Sequence, residues 1–311
     1  MKTTLKKMMA ALAATVVLTM GSAGAAEEAK PATAPATAEA PKAEEQKVTG
    51  SVSLGVYNKY IFRGYELSSG SVVFQPQLSA SYYGFTATMW GNIDSRERAT
   101  QSFLTSDYKL VNAGLVSAED AGHKMSFNEV DLTLSYTYSI DRLSLTGGFI
   151  HYGTKYAKET QELFLSATYD ILTKPTIAVY RDIKAYPGTY INLSFSHSEP
   201  LVKMAGGDLT VDLGASFGYM IGSSDYWKTY QYDWLAAGYS YSGSKYSGFH
   251  DGMLKAGLTI PVTKSFTIQP SVQYWYPLSS KARRVVDGTS YNPNGKLDNT
   301  FVYGIGLAFN F

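Results

Sequence analysis

The chain has no cysteine, which excludes a disulfide framework, a thiolate metal site and a cysteine nucleophile. Beyond its first 26 residues, no stretch approaches the roughly 18 apolar residues of a membrane-spanning helix. Charge is scarce as well. Asp, Glu, Lys and Arg make up 17% of 311 residues, and 27 basic against 26 acidic residues leave a net charge of +1. Neither nucleic-acid binding nor a polybasic membrane patch is signalled by that balance. Phosphate loop, dinucleotide fingerprint and metal-ligand spacing are all missing, so no cofactor and no metal are expected. What the chain does have is 25 Tyr, 28 Gly and 45% hydrophobic residues. It is too apolar for wholesale disorder, and the tyrosine excess points to β structure displaying much aromatic surface.

Met1–Ala26 reads as a secretory signal. Lys2, Lys6 and Lys7 form the positive region, Met8–Met20 carries no charge, and Ala23-Gly24-Ala25 supplies small residues for cleavage. The uncharged run is too short to anchor the chain as a transmembrane helix. Residues 27–47 are almost wholly Ala, Pro, Glu, Lys and Thr, a composition that buries no core and suits a periplasmic spacer. Residues 48–311 form the remaining unit.

From residue 48 onward the hydrophobic period is two. Val130, Leu132, Leu134, Tyr136 and Tyr138 alternate with Asp131, Thr133, Ser135 and Thr137. Leu209, Val211, Leu213, Ala215, Phe217 and Tyr219 alternate with Thr210, Asp212, Gly214, Ser216 and Gly218. Phe301–Phe311 repeats the pattern, with Gly304, Gly306 and Ala308 on the second face. Such alternation places each set on one face of a strand. Segments of this kind begin near residues 50, 72, 85, 127, 143, 161, 175, 188, 208, 249, 265 and 298.

Short connections, such as Gly84, 139–142 and 263–265, alternate with long ones at 95–126, 220–248 and 277–297. An even number of antiparallel strands with tight turns at one end and long loops at the other predicts an all-β, up-and-down transmembrane barrel in the bacterial outer membrane. Twelve strands are expected, or fourteen if Tyr226–Tyr241 adds a pair. A soluble barrel also alternates, but here the charges are too few to coat an outer surface. Tyr82, Tyr136, Tyr138, Tyr219, Tyr274, Tyr276 and Tyr303 fall at strand ends, where aromatic girdles meet lipid headgroups. Pro76 and Pro270 lie inside strands and predict bulges.

Three stretches carry a family likeness: Asn58-Lys59-Tyr60-Ile61-Phe62-Arg63-Gly64, then Tyr83-Gly84-Phe85 with Met89-Trp90-Gly91-Asn92-Ile93-Asp94, then Glu129-Val130-Asp131-Leu132. In this order they resemble the TorF-type porin family over about Val48 to Leu201. The resemblance implies an outer-membrane barrel forming a pore, with no solute specified. The last strand, with Leu307, Phe309 and Phe311 at every second position, resembles the terminal signal read by the barrel-assembly machinery.

With the apolar set facing lipid, the other set lines the lumen. Its charged members are Lys59, Arg63, Asp94, Glu129, Asp131, Glu162, Asp170, Asp182, Asp212 and Lys255. Acids outnumber bases, and charged rings set ion selectivity in pores. The expected function is therefore passive diffusion of small polar solutes or ions with a mild cation preference. Arg63, ending the first strand, is expected among Asp94, Glu129 and Asp131 near the mouth, either functional or a structural ion pair. The alternative is a non-conducting surface receptor or adhesin, with the lumen closed by Trp90, Trp275 and Tyr83. Its loop would display Tyr226, Trp227, Tyr230, Tyr232 and Trp234, which either stack on ligands or pack on each other. Arg96, Arg98, Lys281, Arg283 and Arg284 are candidates for lipopolysaccharide contact. Catalysis is not expected, because His123, His151, His197 and His250 lack a partner set at one level of the barrel.

Overall fold

The computed structural model describes residues 47–68, 70–96, 125–155, 158–233, 235, 238–284 and 297–311. The expected signal and the spacer up to residue 46 lie outside the described residues. Twelve strands close into one antiparallel barrel. In chain order they are β1 (Thr49–Tyr57), β4 (Val73–Tyr82), β5 (Phe85–Asp94), β6 (Ser126–Ile140), β7 (Leu143–Thr154) and β8 (Thr160–Tyr169). The other half is β9 (Thr176–Asp182), β10 (Gly188–Met204), β11 (Gly207–Gly222), β14 (Ser247–Pro261), β15 (Phe266–Pro277) and β16 (Thr300–Asn310). Two small hairpins are set apart from the ring: β2 (Ile61–Phe62) with β3 (Tyr65–Glu66), and β12 (Lys228–Asp233) with β13 (Gly238–Lys245). The Tyr226–Tyr241 segment therefore adds no barrel strands; its hairpin stands in the loop between β11 and β14. A short helix, α1 (Ser280–Arg284), follows β15.

The seam joins β1 to β16 in register from Ser51↔Asn310 to Tyr57↔Gly304. Gly50 and Phe311 complete it by exchanging backbone hydrogen bonds of 2.9 Å in both directions, so no strand edge is left open at the seam. The two prolines are absorbed without bulges. Register runs unchanged from Phe74↔Ile93 to Gln77↔Trp90 and from Gly257↔Ser271 to Ile260↔Ile268, skipping only the pairs at each proline. Pro76 still faces Leu54, and Pro270 still faces Ile305. A strand residue sends its N–H to one neighbour only, so the loss falls on one side and the ladder resumes. Bulges occur instead at Asn92/Ile93, Phe217/Tyr219 and Pro200/Val202. The last belongs to β10, which runs through Pro200 to Met204 before the turn to β11.

Alternation decides which side meets which solvent. Leu78, Met89, Leu132, Leu134, Leu163, Leu165, Ile177, Leu213 and Leu254 all point outward and exposed. Aromatic belts flank this band. Phe85 packs on Tyr136 at 4.7 Å and Tyr82 on Tyr83 at 4.4 Å at the short-turn end. Tyr274 packs on Phe301 at 4.8 Å and Tyr219 on Phe249 at 5.2 Å toward the long-loop end. A continuous exposed apolar band between two aromatic girdles is stable only in a bilayer. The protein is an outer-membrane barrel, with short turns on the periplasmic side and long loops outside.

Inside, the periplasmic half carries small hydroxylated side chains. Cross-strand pairs Ser51–Ser79, Ser81–Thr86 and Thr168–Thr176 bond at 2.8 Å, and Thr137–Thr146 at 2.9 Å. Large buried side chains concentrate in the extracellular half. Tyr60, Ile61, Tyr65, Trp90, Tyr152, Phe164, Tyr190 and Trp275 form one cluster there, so the core of this barrel is a cross-wall rather than a filled cylinder.

Candidate functional site

That cross-wall is built by the first extracellular loop. After Tyr57 the chain turns into the lumen, and Ile61-Phe62 pairs with Tyr65-Glu66 around Arg63-Gly64. Two central residues with positive φ are what a tight hairpin turn requires; Arg63 has φ 48° and Gly64 φ 78°. Glycine is required at 64, since a Cβ there would collide with Leu297 and Asp251. Arg63 is not a residue that favours the left-handed region, so its side chain, not its backbone, explains its place at the tip.

The Arg63 guanidinium grips the far wall. Its two terminal nitrogens donate to Oε1 and Oε2 of Glu162 on β8, each at 2.7 Å, and the Tyr152 hydroxyl on β7 donates to Oε2 at 2.8 Å. Three rings pack against the cation, with centroids at 4.8 Å for Phe62, 4.8 Å for Tyr180 and 4.5 Å for Tyr190. Such forked, ring-stacked geometry is specific to arginine. Burial is the strongest single influence and pulls the guanidinium pKa down, but Glu162, Tyr152 and Tyr190 together hold the group above its ordinary value. Further contacts run to other walls: Tyr60 meets Trp90 of β5 at 5.5 Å, and Tyr65 meets His250 of β14 at 5.0 Å. At the hairpin base, Lys59 bonds Glu66 at 3.3 Å and Thr300 at 2.7 Å.

The expected neighbourhood of Arg63 is thus corrected. It does not end the first strand and does not pair with Asp94, Glu129 or Asp131; the hairpin carries it across the lumen to Glu162. Asp94, Glu129 and Asp131 are buried on β5 and β6 in the same half of the barrel. One carboxylate oxygen of Asp131 is buried with no hydrogen-bond partner. Asp182 accepts from Thr160 Oγ1 at 2.6 Å and from the amides of Lys184 at 2.9 Å and Tyr186 at 3.0 Å. Deeper down, Lys255 lies opposite Gly214 and Gln273, and Asp212 accepts from Thr210 and Thr259, both at 2.9 Å. Asp170 is not in the lumen: it sits in the turn after β8, with 71% of its side chain exposed, facing Lys174.

Trp90 and Trp275 are buried in the cross-wall, whereas Tyr83 is exposed at a periplasmic turn and closes nothing. Tyr226 and Trp227 pack on each other at 5.1 Å, and Tyr226 packs on Tyr186 at 4.6 Å; the indole N–H of Trp227 donates to the Tyr186 carbonyl at 3.2 Å. Tyr230 and Tyr232 pair through their backbones with Tyr241 and Tyr239, their side chains lying outside the described set, as does Trp234 altogether. Leu307 and Phe309 on β16 and Phe311 just past its end keep their period-two spacing, and the two phenylalanines are exposed. His197 faces Glu199 at 3.2 Å on the exposed periplasmic end of β10, while His250 is buried with its Nδ1 at 2.8 Å from the Tyr246 hydroxyl. His123 and Arg98 lie outside the described residues.

Above Arg63 a cavity of about 50 Å³ opens toward the loops, lined by Phe62, Arg63, Tyr152, Glu162, Asp182, Tyr190 and Trp227 among others. It is the extracellular vestibule, and the hairpin tip is its floor. Tyr152, Tyr180 and Tyr190 were not anticipated as site residues, because tyrosines recur in every strand. Gly64 between β-forming pairs is the one local signal of a turn, and Arg63 before it is not a residue that marks a two-residue hairpin.

No family model matches the chain, and no curated protein matches it. Among solved structures it is similar to the NanC porin, at 12% identity over 84% of this chain and 98% of that one, with a TM-score of 0.47. It is also similar to the COG4313 outer membrane channel from Pseudomonas putida F1, at 8% identity, 88% and 100% coverage, and a TM-score of 0.43. A third is Salmonella typhi OmpF in complex with daunomycin, at 10% identity, 85% and 97% coverage, and a TM-score of 0.34.

Proposed function

We propose that the barrel is a porin-like channel for small polar solutes and ions, with a mild cation preference and with its conductance limited by the first-loop hairpin. The observation that carries this reading is the division of the lumen. Its periplasmic half is lined by hydroxyls paired across strands, and its charges, Asp212 and Lys255 aside, gather at the extracellular constriction. Among the described residues of that constriction, Lys59 is paired with Glu66 and Arg63 with Glu162. Asp94, Glu129 and Asp182 add acidic side chains on the surrounding walls. Rings of acids over a narrow path favour cations. The resemblance of Asn58–Gly64, Tyr83–Asp94 and Glu129–Leu132 to the TorF-type porins agrees with this reading. Export with signal cleavage, insertion by the barrel-assembly machinery through the Phe311 strand, and contact of Lys281 and Arg283 with lipopolysaccharide belong to the same proposal.

A second reading rests on the hairpin itself: held permanently in place, it makes the barrel a surface receptor that uses only the vestibule. Planar-bilayer recording of folded protein under a potassium chloride gradient separates the two. A reversal potential on the cation side, with discrete current steps, is expected. Anion selectivity would overturn the acidic-constriction argument, and complete silence would favour the receptor.

A further inference from the structure

The contacts of Arg63 describe a recognition site for a guanidinium group, whoever supplies it. A carboxylate offers both oxygens to the fork, a phenol fixes one of those oxygens, and aromatic faces cover the cation. Each component belongs to a different element: Glu162 to β8, Tyr152 to β7, Tyr180 to β9 and Tyr190 to β10. Only Phe62 and Arg63 come from the hairpin. Remove the tip and the rigid barrel wall still presents the fork acceptor and the ring faces.

Two further observations point to an exchangeable occupant. Arg63 holds a left-handed backbone conformation, a strain that persists only where surrounding structure enforces it. The cradle also borders a cavity on the loop side of the barrel: Arg63, Glu162, Tyr152 and Tyr190 line it together with Lys158 and Trp227 of the connecting segments. We propose that this cradle is a guanidinium-binding site filled in cis by Arg63, and that solutes bearing a guanidinium group bind there from the extracellular side in exchange for the hairpin tip. Arg63 is then a tethered pseudo-ligand. An occupying solute frees the hairpin, so binding and opening are linked: whatever favours the withdrawn hairpin also raises affinity for the solute. The transport consequence rests on the channel reading; the binding site itself does not.

The test is calorimetric titration of folded Arg63→Ala protein in detergent with methylguanidinium chloride and, separately, methylammonium chloride. Heat-dependent gel mobility establishes that the barrel is folded. Methylguanidinium is expected to bind at least about tenfold more tightly than methylammonium, because only the planar fork matches both carboxylate oxygens. Adding Glu162→Gln should abolish that preference, and wild-type protein should bind more weakly than Arg63→Ala because its own side chain competes. Absence of binding to folded Arg63→Ala, or a preference unaffected by Glu162→Gln, would overturn the proposal. If Arg63→Ala does not fold, Arg63→Lys carries the test: its ammonium cannot form the fork, so methylguanidinium should bind it more tightly than wild type, and equal binding would overturn the site. Because calorimetry does not depend on conduction, a silent bilayer with a positive titration removes the channel and keeps the cradle, and the converse removes the cradle alone.

Discussion

Replacing Glu162 by Gln should release the hairpin while leaving the barrel intact. The substitution preserves volume but turns one fork acceptor into a donor facing another donor. The ion pair is well shielded, with side-chain exposures of 12% for Arg63 and 5% for Glu162, so water screens it little. Breaking one side of a buried pair costs about 3–5 kcal/mol, because the partner is left charged and uncompensated. Gln keeps one acceptor oxygen, which argues for the lower end, about 3 kcal/mol. At 1.4 kcal/mol per decade, that is roughly a hundredfold increase in the open hairpin population. Hydrogen exchange of the protein in lipid nanodiscs, read by mass spectrometry, reports local opening. The amide of Leu67, which donates to the Tyr60 carbonyl at 2.8 Å across the hairpin base, should exchange about a hundred times faster. Amides of β10 and β11, zipped from Gly188↔Gly222 downward, should be unchanged. Unaltered exchange at Leu67 would refute the claim that Arg63 and Glu162 hold the hairpin. Uniform acceleration around the barrel would refute the claim that hairpin and wall are separable.

Gly64→Ala should open the hairpin by a different route: its Cβ meets Leu297 and Asp251, and its φ of 78° is strained for alanine, so the same amides should lose protection with the Arg63–Glu162 chemistry untouched. The assignment of faces predicts an asymmetry between neighbouring lumen and lipid positions. Leu165→Lys, on a side chain 69% exposed in the middle of β8, should lower unfolding free energy by about 2–4 kcal/mol in bilayer folding titrations. Ser194→Lys, on the lumen side of β10, should cost less than about 1 kcal/mol; equal costs would mean that the faces are reversed.

The barrel was legible in the sequence because a period of two, short turns and aromatic strand ends all follow from backbone geometry and from the two solvents it separates. Strand starts fell close to the observed ones for that reason, as at Phe85, Leu143 and Gly188. Alternation fixes faces, so the lumen position of Glu162 and Asp182 could be read, yet it says nothing of height or of which lumen residues meet across the space. Arg63 shows the difference. Its motif Asn58 to Gly64 looked like the end of a strand, and continuing the alternation through Tyr60 and Phe62 aimed it at the acids of β5 and β6. The turn chemistry of Arg63-Gly64 instead folds the segment inward, and contact with Glu162 spans 99 residues of chain, a pairing that no local pattern encodes. The prolines teach a related lesson: Pro76 and Pro270 each interrupt two successive pairs on one side of their strand without shifting register.

In the proposed channel the hairpin is the barrier, set above a hydroxyl-lined periplasmic half. The most direct test replaces residues 59–70 with a short Gly/Ser turn and compares single-channel currents of the two folded proteins. Wild type should show small or infrequent steps, and the shortened protein large, steady, cation-selective conductance from every inserted barrel. If the shortened barrel remains silent, the lumen is closed elsewhere and the channel assignment fails.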